Sequence, residues 1–290
     1  MKQIPVTYLF DFVHCSEQLR PYIMAEFATN GAEHLVLSNT LISMVMQDFS
    51  LAAKLKKEIT AAGMSFVDAH APYGYCLDLN VPDPEYRGIM LARMKLALQI
   101  AADFAIENIT IHSGNTPEIW KNYSLTQLHE ALIDSLETLL PLAEKLKITI
   151  ALENIIYPSN TAEKLLDAVR HFSSPFIALC YDSGHANLMK MDRGFHECQA
   201  LAAWKNYGKV QWDDKILEKM LPEISTCHLH DNHGQYDNHL IPGKGNIDWQ
   251  HCLGLLRKAP KLKCIQCETI PVFSKSPIAE ICKTMKKMLA

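Results

Sequence analysis

Residues 148–153 read Ile-Thr-Ile-Ala-Leu-Glu, and residues 176–182 read Phe-Ile-Ala-Leu-Cys-Tyr-Asp. Each is a short, nearly all-apolar run that stops on a carboxylate. A half-solvated strand alternates apolar and polar residues. A run that is apolar throughout predicts a strand buried on both faces, as in a parallel sheet covered by helices. Between the two runs lies a helix-period segment, Ala162–His171, so the local unit is strand, helix, strand.

The unit repeats in both directions. Further strands are predicted at Val6–Phe10, His34–Leu37, Ser65–His70, Asn108–His112, Ser225–His230 and Lys263–Glu268. Further helices are predicted at Gln18–Thr29, Leu41–Ala62, Pro84–Ala105, Leu125–Leu146, Phe195–Met220, Trp249–Lys258 and Pro277–Leu289. Ser124-Leu-Thr-Gln127 fits a capping box. Asp83-Pro84 places a capping residue before a first-turn proline. Asn30-Gly31 and Gly63 stand where left-handed helix ends are expected. The Asp192–Leu221 stretch is long for one crossover and has room for two helices. Eight strands alternating with eight helices predict an α/β fold, a (β/α)8 TIM barrel, as a single domain over residues 1–290. No Gly-rich turn follows the first strand, so a dinucleotide-binding half has no support.

Composition removes other classes. With 48% hydrophobic and 21% charged residues the chain has the balance of a globular protein, not a disordered one. No apolar run reaches the ~18–20 residues of a membrane span, and the first residues make a poor signal peptide. Nine cysteines, an odd number without framework spacing, predict reduced thiols and a cytoplasmic location. Cys264-Ile-Gln-Cys267 lies on a predicted strand, where residues three apart face opposite ways, and reads as two core thiols. A net charge of −4 offers no basic footprint for nucleic acid. The unusual count is 13 His, against 12 Gly.

The ends of the strands explain that count. Strand three ends at His70, four at His112, five at Glu153 and six at Asp182; strand seven carries His228 and His230, and eight ends at Glu268. In a barrel, these C-terminal ends converge on the face that holds the site. His185 follows strand six within Asp182-Ser-Gly-His185, and Asp237-Asn-His239 follows strand seven. Carboxylates crowded without a counter-charge repel one another, and a divalent cation removes the repulsion. His70, His112, Glu153, Asp182, His185, His228, Asp237, His239 and Glu268 are therefore the candidate metal ligands, enough for one to three ions, zinc ahead of manganese. Three ions against the four carboxylates leave a positive site suited to phosphate. One ion with Glu153, Asp182 and Glu268 leaves a negative site suited to a neutral polyol. Tyr73 and Tyr75, just past His70, are candidates for stacking on substrate. Lys244, between Gly243 and Gly245, is a candidate phosphate contact, and His230 is a further substrate contact.

The strings HAPYGYCLDL, TIHSGN, ALENI, CYDSGHANL, CHLHDN, DNHLIPGKGNIDW and QCETI, together with Pro84–His112, resemble the xylose isomerase-like TIM-barrel superfamily. That superfamily holds sugar phosphate isomerases and epimerases, inosose dehydratases and isomerases, and the endonuclease IV class of apurinic-site nucleases. For the isomerases and epimerases, the resemblance implies one metal held at Glu153, Asp182, His228 and Glu268. It also implies Glu153 and Glu268 as the acid/base pair and His185 as a catalytic substrate contact. For the endonuclease IV class it implies three zinc ions on all nine candidates. At strand seven it selects His228 over His230. The text after Glu153-Asn154 is Ile155-Ile-Tyr-Pro158, without the nuclease class's glycine and glutamine run. Leu37-Ser38 stands where an acidic residue is often seen, and Gly234 stands where some epimerases have arginine.

The expected function is a metal-dependent isomerase or epimerase acting on a sugar, sugar phosphate or related polyol through an enediolate. The alternative is a multi-zinc phosphoesterase resembling endonuclease IV. The expected partner is a small carbohydrate, with no membrane, nucleic acid disfavoured, and homo-oligomerisation open.

Overall fold

The computed structural model describes residues 4–11, 15–74, 76–114 and 118–290. Eight parallel strands close into a barrel in sequence order: β1 (Val6–Tyr8), β2 (His34–Leu37), β3 (Ser65–His70), β4 (Asn108–His112), β5 (Thr149–Glu153), β6 (Ile177–Asp182), β7 (Ile224–Leu229) and β8 (Cys264–Cys267), with β8 pairing back onto β1. The strands depart from the sequence expectation by at most two residues at either end. The helices are α1 (Arg20–Thr29), α2 (Asn39–Gln47), α3 (Ser50–Ala61), α4 (Pro84–Asp103), α5 (Leu125–Leu146), α6 (Ala162–Phe172), α7 (Ser183–Leu188), α8 (Gln199–Trp204), α9 (Ile216–Met220), α10 (Trp249–Leu256), α11 (Pro271–Ser274) and α12 (Ile278–Leu289). Among the described residues no helix is long and apolar enough to cross a membrane.

Local chemistry sets several boundaries. The Ser124/Gln127 capping box is present, and Asp83 caps α4 by accepting from the Glu85 N–H at 2.8 Å. Gly31 and Gly63 take left-handed φ angles of +83° and +71°. The single helix expected over Leu41–Ala62 is two. Asp48 leaves helical geometry at φ −143° and its carboxylate accepts from both the N–H and the hydroxyl of Ser50, which restarts the chain as α3. The segment expected as Phe195–Met220 resolves into α8 and α9. Helices α7 and α11 have no counterpart in the sequence expectation. α7 is too short for a period to register, and its start depends on Asp182 accepting from the His185 N–H at 2.6 Å.

The apolar sides of the strands meet the helices. Ile109, Ile111, Ile150, Leu152 and Leu179 join Leu132, Leu136, Leu139 and Leu165 in one buried core. Each such side chain contributes ~1.5–3 kcal/mol on leaving water. The barrel interior is different. Asp68, fully buried, accepts from Asn108 (3.1 Å) and Thr226 (3.2 Å); Asn108 accepts from Ser225 (2.8 Å). Cys264 faces Thr7 at 3.7 Å within the barrel, while Cys267 belongs to the helix-side core beside Tyr8 and Cys282. The two thiols of the C-x-x-C string are thus buried on opposite faces. None of the nine cysteines is in a disulfide.

Candidate metal centre

Strand register places the candidate ligands at similar heights. His112 pairs with Glu153 across β4 and β5, and Asp182 pairs with His228 across β6 and β7. His70 pairs with Thr110, two residues below His112, and Gln266 pairs with His228, two residues below Glu268. Each of these six side chains points into the barrel mouth because the residues alternate inward and outward along a strand.

All nine candidates come together there, in three convergences. His70 Nε2 and His112 Nε2 both approach Glu153 Oε2, at 3.3 and 3.2 Å. His228 Nδ1 lies 3.3 Å from Glu153 Oε1, 3.4 Å from Glu268 Oε2 and 3.9 Å from Asp182 Oδ2. His185 Nε2 and His239 Nε2 both approach Asp237 Oδ2, at 3.3 and 3.0 Å. Glu153 is therefore shared: one oxygen serves the first group and the other serves the second.

Backbone carbonyls choose which imidazole nitrogen faces inward. The Nδ1–H groups of His70, His185 and His239 donate to the carbonyls of Ala71 (2.8 Å), Asn154 (3.0 Å) and Glu268 (2.8 Å). That leaves each Nε2 facing a carboxylate, the orientation that outer hydrogen bonds give metal-binding histidines. His228 is turned the other way. Its Nε2 meets the Thr110 hydroxyl at 3.3 Å, so Nδ1 faces the carboxylates. His239 reaches the site from left-handed backbone, φ +47°.

Charge follows from proximity. Burial pushes the Glu153 carboxyl up, yet His228, His112 and His185 outweigh burial and hold it well below the ordinary range. Glu268 is lowered in the same way, by His228 and His239 against burial. Burial pushes His239 down, but Asp237 raises it to about 9. His185 is raised by Asp182 and Asp237 against burial. The pocket thus stabilises positive charge at its centre.

A divalent cation fits this donor set. His228 Nδ1, His230 Nδ1 and Asp237 Oδ1 are buried without a hydrogen-bond partner. Buried ligand-type atoms of that kind are costly to leave bare. Glu153, Asp182, His228 and Glu268 each place one ligand atom within 4.8 Å of the others, as do His70, Glu153 and His228, and His230, His239 and Glu268.

The remaining sequence candidates divide. Tyr73 stacks on His112, with centroids 4.1 Å apart and planes at 27°, and lines the cavity above the ligands. Tyr75 lies outside the described residues. His230 lies behind the ligands rather than in the cavity lining: its Nε2–H donates to Asp182 at 3.1 Å and its ring stacks on His239 at 4.0 Å. Lys244 stands apart from the others. It does not line the cavity; it is exposed, and its ammonium lies 3.6 Å from Glu280. Asp231 bends the loop away by accepting from the Gly243 N–H and the Trp249 indole N–H, both at 2.8 Å.

The cavity measures about 460 Å³. Leu9, Ile155, Ile156, Ile270 and Phe273 give it apolar walls, and no Lys or Arg is among its described lining residues. Sequence reasoning missed Asn154, which holds Asp182 by two backbone contacts (2.8 and 3.1 Å) besides orienting His185. It also missed Gly184, where a Cβ stands 2.0 Å from the His230 ring. Both sit beside candidate ligands in sequence, which is the one signal that points to them.

A profile of the xylose isomerase-like TIM barrel matches residues 22–287. The chain belongs to that family. Among curated relatives, the uncharacterized protein MJ1311 of Methanocaldococcus jannaschii is 28% identical over 195 residues, 65% of this chain and 59% of that protein. The chain thus matches less than two thirds of that relative's length. Among solved structures, a D-tagatose 3-epimerase-like protein superposes with TM-score 0.71 at 20% identity, covering 99% of this chain and 98% of the other. The IOLI protein with a zinc atom superposes with TM-score 0.68 at 15% identity, covering 99% and 96%. These likenesses are of fold.

Proposed function

We propose that the chain is a metal-dependent isomerase or epimerase acting on a sugar, sugar phosphate or related polyol. The observation that carries this reading is the pair Glu153 and Glu268. They come from strands three places apart in the barrel, flank one imidazole nitrogen at 3.3 and 3.4 Å, and both line the cavity. The neighbouring imidazoles hold both carboxyls below their ordinary range, so both are ionised in the resting site. Glu153, Asp182, His228 and Glu268 would hold a divalent ion, whose Lewis acidity makes the proton beside a carbonyl removable. Glu153 takes that proton, leaving an enediolate of the substrate; Glu268, loaded with a proton from solvent, delivers one to carbon, and Glu153 then releases its proton to solvent. Tyr73 covers the ligands and the apolar walls exclude water. The absence of Lys and Arg from the described lining favours a neutral sugar or polyol over a sugar phosphate. Zinc suits the imidazole-rich groups, and manganese suits the carboxylate-rich one. Nine unpaired cysteines support a cytoplasmic location.

A second reading is favoured by one observation: the His185, Asp237 and His239 convergence, with Glu153 shared between the other two groups, offers more ligands than one ion needs. That reading is a multi-zinc phosphoesterase resembling endonuclease IV. One experiment separates the two. Ketoses and polyols are incubated in deuterated water, an abasic duplex is assayed in parallel, and Glu153→Gln is run beside the parent with bound metal counted. The isomerase reading expects deuterium uptake at carbon and a ~10²–10⁴-fold loss in Glu153→Gln. Duplex cleavage without deuterium uptake establishes the second reading, and full turnover by Glu153→Gln overturns the first.

A further inference from the structure

His185 reaches the site from α7, while Asp237 and His239 reach it from the loop between β7 and α10. Neither element is a strand; each is anchored to a strand end, His185 through the Asn154 carbonyl and His239 through the Glu268 carbonyl, and side chains join the two elements to each other. Asn187 of α7 donates through Nδ2 to Asn232 Oδ1 (2.9 Å) and Asn246 Oδ1 (2.8 Å), both in the β7–α10 loop. Asn232 donates back to the Gly184 carbonyl (3.0 Å), and Asn246 donates to the His233 carbonyl (3.0 Å). Asn187 Oδ1 then accepts from Arg193 Nη2 at 3.1 Å, and Arg193 Nη1 donates to the His233 carbonyl at 3.3 Å. One guanidinium thus grips both elements.

Gly234 makes the grip possible. Its φ is +84°, and a Cβ there stands 1.3 Å from Arg193 Nη1. The guanidinium occupies the volume that any side chain at 234 would take. Arginine suits the place because its planar fork presents two donors at a fixed spacing, which lysine cannot.

We propose that Arg193 is a positioning residue: by joining Asn187 of α7 to the His233 carbonyl of the β7–α10 loop, it sets His185 against Asp237 and His239 as one ion-binding group. This rests on the reading that these three residues hold a metal ion.

The test loads the full chain with zinc, dialyses it, and follows release of each ion to a colorimetric chelator alongside thermal melting. Asp237→Asn marks the group by removing one ion. Arg193→Ala is expected to release that same ion ~10–100-fold faster, the usual effect of losing an outer hydrogen-bond partner. The ions on the strand ends should leave at the parental rate, with the melting temperature held. Arg193→Lys, keeping the charge and one donor, should recover part of the retention. A purely structural role would speed release of every ion and lower the melting temperature together, and that result overturns the proposal. So does an Arg193→Ala release profile identical to the parent. If Asp237→Asn leaves the zinc content unchanged, the metal reading of this group fails, and the proposal fails with it. If Arg193→Ala does not fold, Gly234→Ala expels the same guanidinium and gives the same readout.

Discussion

Six of the nine ligand-type residues ride on strand ends and three ride on α7 and the β7–α10 loop. The first six are placed by sheet hydrogen bonds that also hold the barrel together. His112 stands directly opposite Glu153 in the β4–β5 register. The other three lie off the strands: His185 and His239 each lean on a strand-end carbonyl, and amide and guanidinium contacts join their two elements to one another. The difference separates a part of the site that folds with the protein from a part that is assembled on top of it. Such attached elements are expected at the low end of local stability.

The sharpest way to break this comparison is at His228. It is fully buried, and Glu153, Asp182 and Glu268 surround it. His228→Ala leaves three buried carboxylates without their central cation. The metal-stripped variant should lose about 3–5 kcal/mol in denaturant unfolding, as when one partner of a buried ion pair is removed. A loss under 1 kcal/mol would show that the strand-borne ligands are no more tied to the fold than the loop-borne ones.

A second measurement uses the side of the barrel mouth that carries no ligand. At the end of β1, burial raises the Asp11 carboxyl to about 6, against the Ser38 hydroxyl that donates to it at 2.5 Å and the nearby Arg20. An acid whose pKa is raised on folding binds more protons folded than unfolded. It costs nothing below pH ~4, and the cost grows as pH rises to ~6, reaching about 3 kcal/mol above that. Asp11→Asn should therefore gain on the parent over that window, equally with and without a chelator. A gain that depends on chelator would tie Asp11 to the metal site and blur the division. The smallest expected effect is at Lys244. As an exposed residue paired only loosely with Glu280, its change to Ala should move stability by no more than ~0.5 kcal/mol and leave substrate affinity unchanged.

The eight strands and their polar ends were legible because two signals coincide in the sequence. The runs are mostly apolar, and six of the eight stop on a His, Asp or Glu. The division of α2 from α3 was not legible, because one Asp side chain capturing Ser50 overrides a continuous helical pattern. Nor was the direction of Lys244. The string Pro242-Gly-Lys-Gly-Asn-Ile-Asp-Trp249 suggests a phosphate loop, yet Asp231, buried beneath it, uses the loop's own N–H groups. Gly184 and Gly245 carry no signal of their own in the sequence. The structure shows that each leaves room for a neighbour, the His230 ring in one case and the Asn232 carbonyl in the other.

The sequence by itself determined the barrel and which candidate residues meet at its mouth, because periodicity and strand-end chemistry are local properties that one chain displays in order. Only the tertiary structure decided how those residues divide among themselves. It turned His228 to face inward through Nδ1 and the others through Nε2, split the two oxygens of Glu153 between two groups, and set Arg193 in the space left by Gly234. Those choices depend on contacts between residues up to 118 positions apart, and no local pattern records them.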